Sequence, residues 1–389
     1  MGEGGRILII DFTNYEDYPI GGYLTFVRSM MNSFGNDLAL AGITTSSQDP
    51  VGEWFKKDIM GVNYDFFAMA KYSKLKTKHL LPDRMVNYFL LKYFQKRLLA
   101  INIKNVFIQR QEMLIAMSEK AINICYCFAG LENPLTISKY WYAHPFSKLF
   151  EKRFFRKLKS VDPILASGDD YEIREMARRS KGKVSESRVI KFPTRINTDI
   201  FRPVDKDEAR RNLGITHNSV IVITIGRLAV LKGWKFMIDC FLKFEVNVPG
   251  SRLYFIGEGE DFEKIKSYLS INKLTEKVFL EGKKKPDTVA LFLNAADLFI
   301  MGSYKEGWST SLMEAVACGT PSCVTDFSSA REVIIEGENG FVIENHNEEL
   351  FVQGMLNAMK IKRPVMNDHI LSFSTNRLKA DLLKYWKLI

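Results

Sequence analysis

From residue 220 onward the chain alternates short apolar runs with stretches of helical period. "VIVITIG" (220–226), "RLYFIG" (252–257), "KVFLEG" (277–282), "DLFIM" (297–301) and "PSCVTD" (321–326) read as short buried strands. Between them, residues 233–245, 261–270, 286–295 and 310–318 read as helices. Strands spaced by helices in this way predict a parallel, doubly wound sheet. The first half is less regular. Its best strands are "RILIIDF", "NVFIQR" and "INICYCF", with "DPILASG" (162–168) leading into a helix "DDYEIREMARR". The pattern as a whole predicts an α/β protein of two doubly wound, Rossmann-like domains facing a cleft, with ligands beyond the carboxyl ends of the strands.

The expected boundaries follow the same pattern. Residues 1–190 form a first domain, 206–372 a second, and 373–389 a helix that packs back on the first. The stretch 191–205, "KFPTRINTDIFRPVD", has little periodicity and is taken as the connection. Its 389 residues, 46% of them hydrophobic, suffice for two cores of ordinary size. No run of eighteen apolar residues occurs, and "MGEGGRILIIDF" is expected to be a first strand rather than a leader. The cysteines (125, 127, 240, 318, 323) form no CxxC pair, so reduced thiols and a cytoplasmic setting are expected.

Charge separates the halves. Residues 1–190 hold 28 Lys+Arg against 20 Asp+Glu, and only two of the ten net positive charges remain for the rest. A basic first half points to an anionic partner there. No nucleic-acid-reading motif accompanies the charge, so nucleic acid is not expected. Residues 71–104 carry nine Lys/Arg and one Asp among Tyr, Phe and Leu. In "FSKLFEKRFFRKLK" (146–159), Phe146, Leu149, Phe150, Phe154 and Leu158 recur at near-helical spacing. These are either core helices with solvated outer faces or attachments to an anionic membrane surface.

Four strand ends in the second half carry candidate chemistry. Arg227 and Lys232 follow the first, and two fixed cations there can neutralise a diphosphate without a metal. Glu-Gly-Glu follows the second, where small residues allow close approach to the backbone. Lys283 follows the third. The fourth opens "EGWSTSLMEAVACGTP" (306–321), with Glu306 before a helix from Thr310 and Glu314 one turn inside it. A plainer reading makes Ser311 and Glu314 a capping box. No metal-ligand cluster is visible.

With "GRLAVLKG", "YFIGEGED", "VFLEGK", the glutamate pair and "SSAREVIIEGENGFVI" in this order, the sequence resembles the retaining nucleotide-sugar glycosyltransferases of family 4, which have the GT-B fold. The resemblance spans residues 186–345 and is thinner over the first domain. It implies that Arg227 and Lys232 hold the donor diphosphate, Glu314 the ribose hydroxyls, and Glu306 the hydroxyls of the transferred sugar. It further implies that backbone N–H groups of Trp308, Ser309, Thr310 and Ser311 touch sugar and phosphate. Gly282 and Lys283 fall at the base pocket, and Gly21 and Gly22 match the glycine loop over the phosphates. No metal or cofactor is implied beyond the nucleotide-sugar substrate. The acceptor would be a glycan or a lipid-linked molecule in surface polysaccharide, lipopolysaccharide or glycolipid synthesis. The enzyme would be a hexosyl- or deoxyhexosyltransferase, cytoplasmic or peripheral on the inner membrane face.

Two departures matter. Ala129 stands where the family carries a histidine near the sugar's 6-position, which suggests a 6-deoxy sugar or a pentose; a strong preference for a 6-hydroxy donor over its 6-deoxy analogue would sink that idea. Arg195 replaces the family's linker glycine and is expected either to meet an acidic acceptor or, the favoured reading, to brace the domains. Two alternatives stay open: a nucleotide-sugar epimerase or hydrolase on the same scaffold, and a catalytically silent binding subunit.

Overall fold

The computed structural model describes residues 6–18, 22–73, 82–117, 122–128, 130–138, 140–168, 170–215, 218–363 and 366–389. Gly21, Ala129 and residues 74–81 of the basic stretch 71–104 lie outside that set. The chain divides into two units, Met1–Thr194 with Leu378–Ile389, and Arg195–Arg377. The division falls inside the stretch expected as a connection. Ile196 and Phe201 are buried in the second unit's core, because their side chains find apolar partners there.

The first unit is built on an eight-stranded sheet. In chain order its strands are β1 (Ile7–Ile10), β2 (Leu38–Thr44), β3 (Trp54–Ile59), β4 (Val62–Lys71), β5 (Asn105–Ile108), β6 (Asn123–Phe128), β7 (Ile164–Ala166) and β8 (Val189–Lys191). Their spatial order is β3-β4-β2-β1-β5-β6-β7-β8. All pairs are parallel except β3 with β4, a hairpin that turns through Met60 and Gly61 at positive φ. Sequence reasoning missed β2, β3, β4 and β8. β2 is buried along its whole length, so it carries no alternation, and β3 is an edge strand studded with lysine. The last helix, Thr375–Tyr385, buries Leu378, Leu382 and Leu383 beside Phe192 and Phe107 of this unit.

The second unit has six strands: β9 (Ile221–Ile225), β10 (Arg252–Ile256), β11 (Val278–Gly282), β12 (Leu298–Met301), β13 (Ser322–Thr325) and β14 (Gly340–Ile343). They are all parallel, in the order β11-β10-β9-β12-β13-β14. This is the doubly wound order in which the strand sequence reverses beside the first strand, here between β9 and β12. The helix Trp234–Asn247 buries Phe241 and Phe244 on one face of the sheet, and Thr310–Ala317 buries Leu312 and Val316 on the other. Each such side chain contributes about 1.5–3 kcal/mol on burial. Arg195, expected to brace the domains, donates to the Ser372 carbonyl, which lies in its own unit. All five cysteines are buried and none is in a disulfide.

Candidate functional site

The loops leaving β9, β10 and β11 are joined through their backbones. Gly226 N–H donates to the Ile256 carbonyl at 3.0 Å, and Gly257 N–H to the Gly282 carbonyl at 2.9 Å. A Cβ on Gly257 would stand 1.9 Å from the Gly226 carbonyl oxygen, and one on Gly259 2.2 Å from that of Leu228. The glycines of "GEGE" therefore let two loops touch; their smallness serves the protein's own backbone. Arg227 leaves this junction exposed, with Nε 4.0 Å from Glu260 Oε2, a pair too long and too wet to hold it.

Lys232 ends a short turn closed by Gly233 at φ +67°. A Cβ on Gly233 would lie 1.9 Å from the Gly302 carbonyl oxygen, so only glycine lets this turn press on the loop after β12. Tyr304 N–H donates to the Leu231 carbonyl at 2.9 Å and fastens the same two loops. The outcome is a contact between residues 74 apart: Lys232 Nζ pairs with Glu306 Oε1, which also accepts from Ser303 Oγ at 2.9 Å. Glu306 is thus not a free loop carboxylate; its side chain is only 10% exposed. Ser328 Oγ donates to the Glu306 and Gly307 carbonyls and pins the loop from the other side.

Immediately after, Ser309 caps the helix Thr310–Ala317, its Oγ accepting from Leu312 N–H at 3.3 Å, while Ser329 Oγ accepts from Ser309 N–H at 3.1 Å. The cap is therefore Ser309, and the Ser311–Glu314 capping box does not form, because Ser311 already lies inside the first turn. Glu314 is half-buried, and desolvation pushes its carboxyl up to about 8. Its neutral form then prevails at neutral pH until a ligand supplies hydrogen bonds to the charged one. Trp308 Nε1 donates to Met313 Sδ, and its ring packs on Phe373. Gly282 takes φ +68°, and Lys283 projects into solvent.

The structure thus brings Lys232, Glu306, Trp308, Ser309, Thr310 and Ser311 together at the carboxyl edge of one sheet, with Arg227 on the adjoining loop. Gly22 opens the helix Gly22–Phe34 of the other unit. Ser303, Ser328 and Ser329 were not singled out in the sequence, although Ser303 stands just past "DLFIM" and Ser328-Ser329 open "SSAREVIIEGENGFVI". Among the described residues no group of three or more His, Cys, Asp or Glu is placed to hold a metal, and no helix is long and apolar enough to cross a membrane.

Residues 205–369 match the family model described as Glycosyl transferases group 1. The chain is also 34% identical over 167 residues to a poly(glycerol-phosphate) alpha-glucosyltransferase of Bacillus subtilis, a stretch covering 42% of this chain and 24% of that protein. It therefore spans about a quarter of that relative's length. In fold it resembles sucrose-phosphate synthase from Thermosynechococcus elongatus (TM-score 0.69, 16% identity, 98% of each chain). It also resembles Anabaena HepE, solved in complex with UDP-glucose (TM-score 0.65, 14% identity, 97% of this chain and 99% of that one). The fold is GT-B. Sequence match and fold together support a place in the GT-B glycosyltransferase superfamily.

Proposed function

We propose that the protein is a retaining glycosyltransferase that moves a sugar from a nucleotide-diphosphate sugar to a glycan or lipid-linked acceptor. The observation that carries this reading is the Lys232–Glu306 pair, held by backbone contacts at the switch point of a nucleotide-type sheet, one residue pair short of a capped helix start. Cleaving the sugar–diphosphate bond leaves negative charge on the diphosphate. Lys232, the exposed Arg227 and the N–H groups opening the helix at Thr310 are the groups that balance it. An arriving diphosphate competes with Glu306 for the Lys232 ammonium. That exchange frees the Glu306 carboxylate to accept from hydroxyls of the transferred sugar. Glu306 orients the donor rather than attacking it, and the departing phosphate takes the acceptor's proton.

Glu314 accepts the ribose hydroxyls, Gly282 and Lys283 border the base, and Gly21 and Gly22 close over the phosphates. The chemistry needs no metal. A surface polysaccharide or glycolipid product, a 6-deoxy donor and a cytoplasmic enzyme peripheral on the inner membrane face belong to the same reading. The relative from Bacillus subtilis is named for a poly(glycerol-phosphate) acceptor, a polyanion, which suits the basic first unit.

Calorimetric titration with UDP, GDP, ADP and CMP tests the reading. One nucleotide binds, and Lys232→Ala weakens it and lowers turnover by about 10²–10³-fold, the usual loss when one transition-state charge partner is removed. If none of the four binds, or the variant binds equally well, the silent-subunit alternative takes its place. Product analysis without acceptor separates a transferase from an epimerase or hydrolase.

A further inference from the structure

The first sheet has its own switch point, between β1 and β5, and polar side chains gather past it that the donor reading leaves unused. Asp11 follows β1, and Arg110 and Glu112 follow β5. Arg110 is committed to Asp11. Glu112 is less occupied. Its side chain is 2% exposed, Oε2 stands 3.4 Å from Arg84 Nη1, and Oε1 has no partner among the described residues. The buried Tyr126 hydroxyl is likewise unpartnered, and burial, then Tyr23 and Glu112, push its pKa well up. Leaving a buried acceptor without a hydrogen bond costs about 1–3 kcal/mol.

Glu112 lines a cavity of about 280 Å³. Apart from Arg84, which pairs with Glu112, and Arg153, its other walls are mostly apolar, with Tyr88 and Phe89 from the helix Asp83–Leu98 and Leu149 and Phe150 from Ser147–Leu158. Phe89 and Leu149 are 56% and 48% exposed, so the cavity opens to solvent between the helices. Arg153 stands in its lining, with Lys152 and Arg156 exposed on the same helix. The volume falls just under the usual range of about 300–1,000 Å³ for small-molecule sites, room for one chain and not for two.

We propose that this cavity binds a single-chain anionic amphiphile, with hydrocarbon against Phe89, Leu149 and Phe150, a hydroxyl donating to the Glu112 carboxylate, and the anionic group beside Arg153. Apolar walls select the chain, the unpartnered carboxyl oxygen selects a donor, and the basic rim selects the sign of the charge. Calling this molecule the acceptor rests on the transferase reading above; its binding does not.

The test is calorimetric titration of the intact protein, without nucleotide, with omega-hydroxydecanoate, decanoate and decyltrimethylammonium. Hydroxydecanoate binds about tenfold more tightly than decanoate, one hydrogen bond's worth, and the cation binds weakest. Glu112→Ala abolishes the tenfold preference and leaves decanoate binding in place, which also shows that the variant is folded. Leu149→Trp, at a half-exposed position, fills the cavity and weakens both anions at least tenfold. Equal binding of the two acids, a preference that survives in Glu112→Ala, or no binding by any of the three overturns the proposal. Nucleotide binding without amphiphile binding sinks this inference alone; the reverse sinks the donor reading alone.

Discussion

At the switch point of the second sheet and beside it, backbone meets backbone: Gly233 presses on Gly302, and on the loops after β9 and β10 Gly257 meets Gly226 and Gly259 meets Leu228. At the switch point of the first sheet, side chains meet across the gap, Arg110 with Asp11 and Arg84 with Glu112, beside an open cavity. Loops locked through glycine hold Lys232 and Glu306 to a single geometry, which suits a fixed diphosphate. Helices that only line a cavity leave its width to side chains.

The comparison breaks first at Gly233. Gly233→Ala adds a Cβ into the Gly302 carbonyl at a positive φ, and the loop after β12 has to move. The expected cost is about 2–4 kcal/mol in chemical denaturation, with nucleotide binding lost even in the folded fraction. A variant of unchanged stability and affinity would show that the loops are not locked there.

A smaller effect comes from Glu314. Its carboxyl is raised to about 8 by desolvation, so in the unliganded protein its stability contribution is present at low pH and lost as pH rises through about 8. Ligand hydroxyls that donate to the carboxylate favour the ionised form. Nucleotide affinity then rises with pH up to about 8, by at most about tenfold per unit, with proton release on binding. Calorimetry in buffers of different ionisation enthalpy measures that release, and Glu314→Gln abolishes it. A flat affinity profile for the unmodified protein would remove Glu314 from the ribose.

The smallest effect sharpens the contrast from the other side. Gly61, in the β3–β4 turn, has φ +82° but nothing within 4 Å of an added Cβ. Gly61→Ala costs only the left-handed backbone term, about 1–2 kcal/mol, and leaves nucleotide binding unchanged. A loss as large as that at Gly233 would mean that positive φ, and not the loop contact, sets the price in both units.

Much of the second unit was legible in the residues, because its chemistry is local. Apolar runs marked β9 to β13, and each candidate residue stands within a few positions of a strand end, so strand prediction alone located Arg227, Lys232, Lys283 and Glu306 near a common edge. The helix from Thr310 was legible for the same reason, although Ser309 rather than Ser311 proved to be its cap. The first unit resisted this approach. β2 is buried throughout and β3 is lysine-rich, so neither shows the alternation that betrays a half-buried strand. Glu112 gave no sign at all, being one carboxylate in an ordinary short helix.

By itself, then, the sequence determined the α/β class, the parallel second sheet and the residues at its strand ends, since short-range periodicity and turn chemistry act within a few residues. Only the tertiary structure decided that Lys232 meets Glu306, that "GEGE" serves the backbone, and that Glu112 lines a cavity while one of its oxygens has no partner among the described residues. Those facts depend on strand order and loop packing, which join residues far apart in the chain; of them only the close approach at "GEGE" left a trace in local pattern.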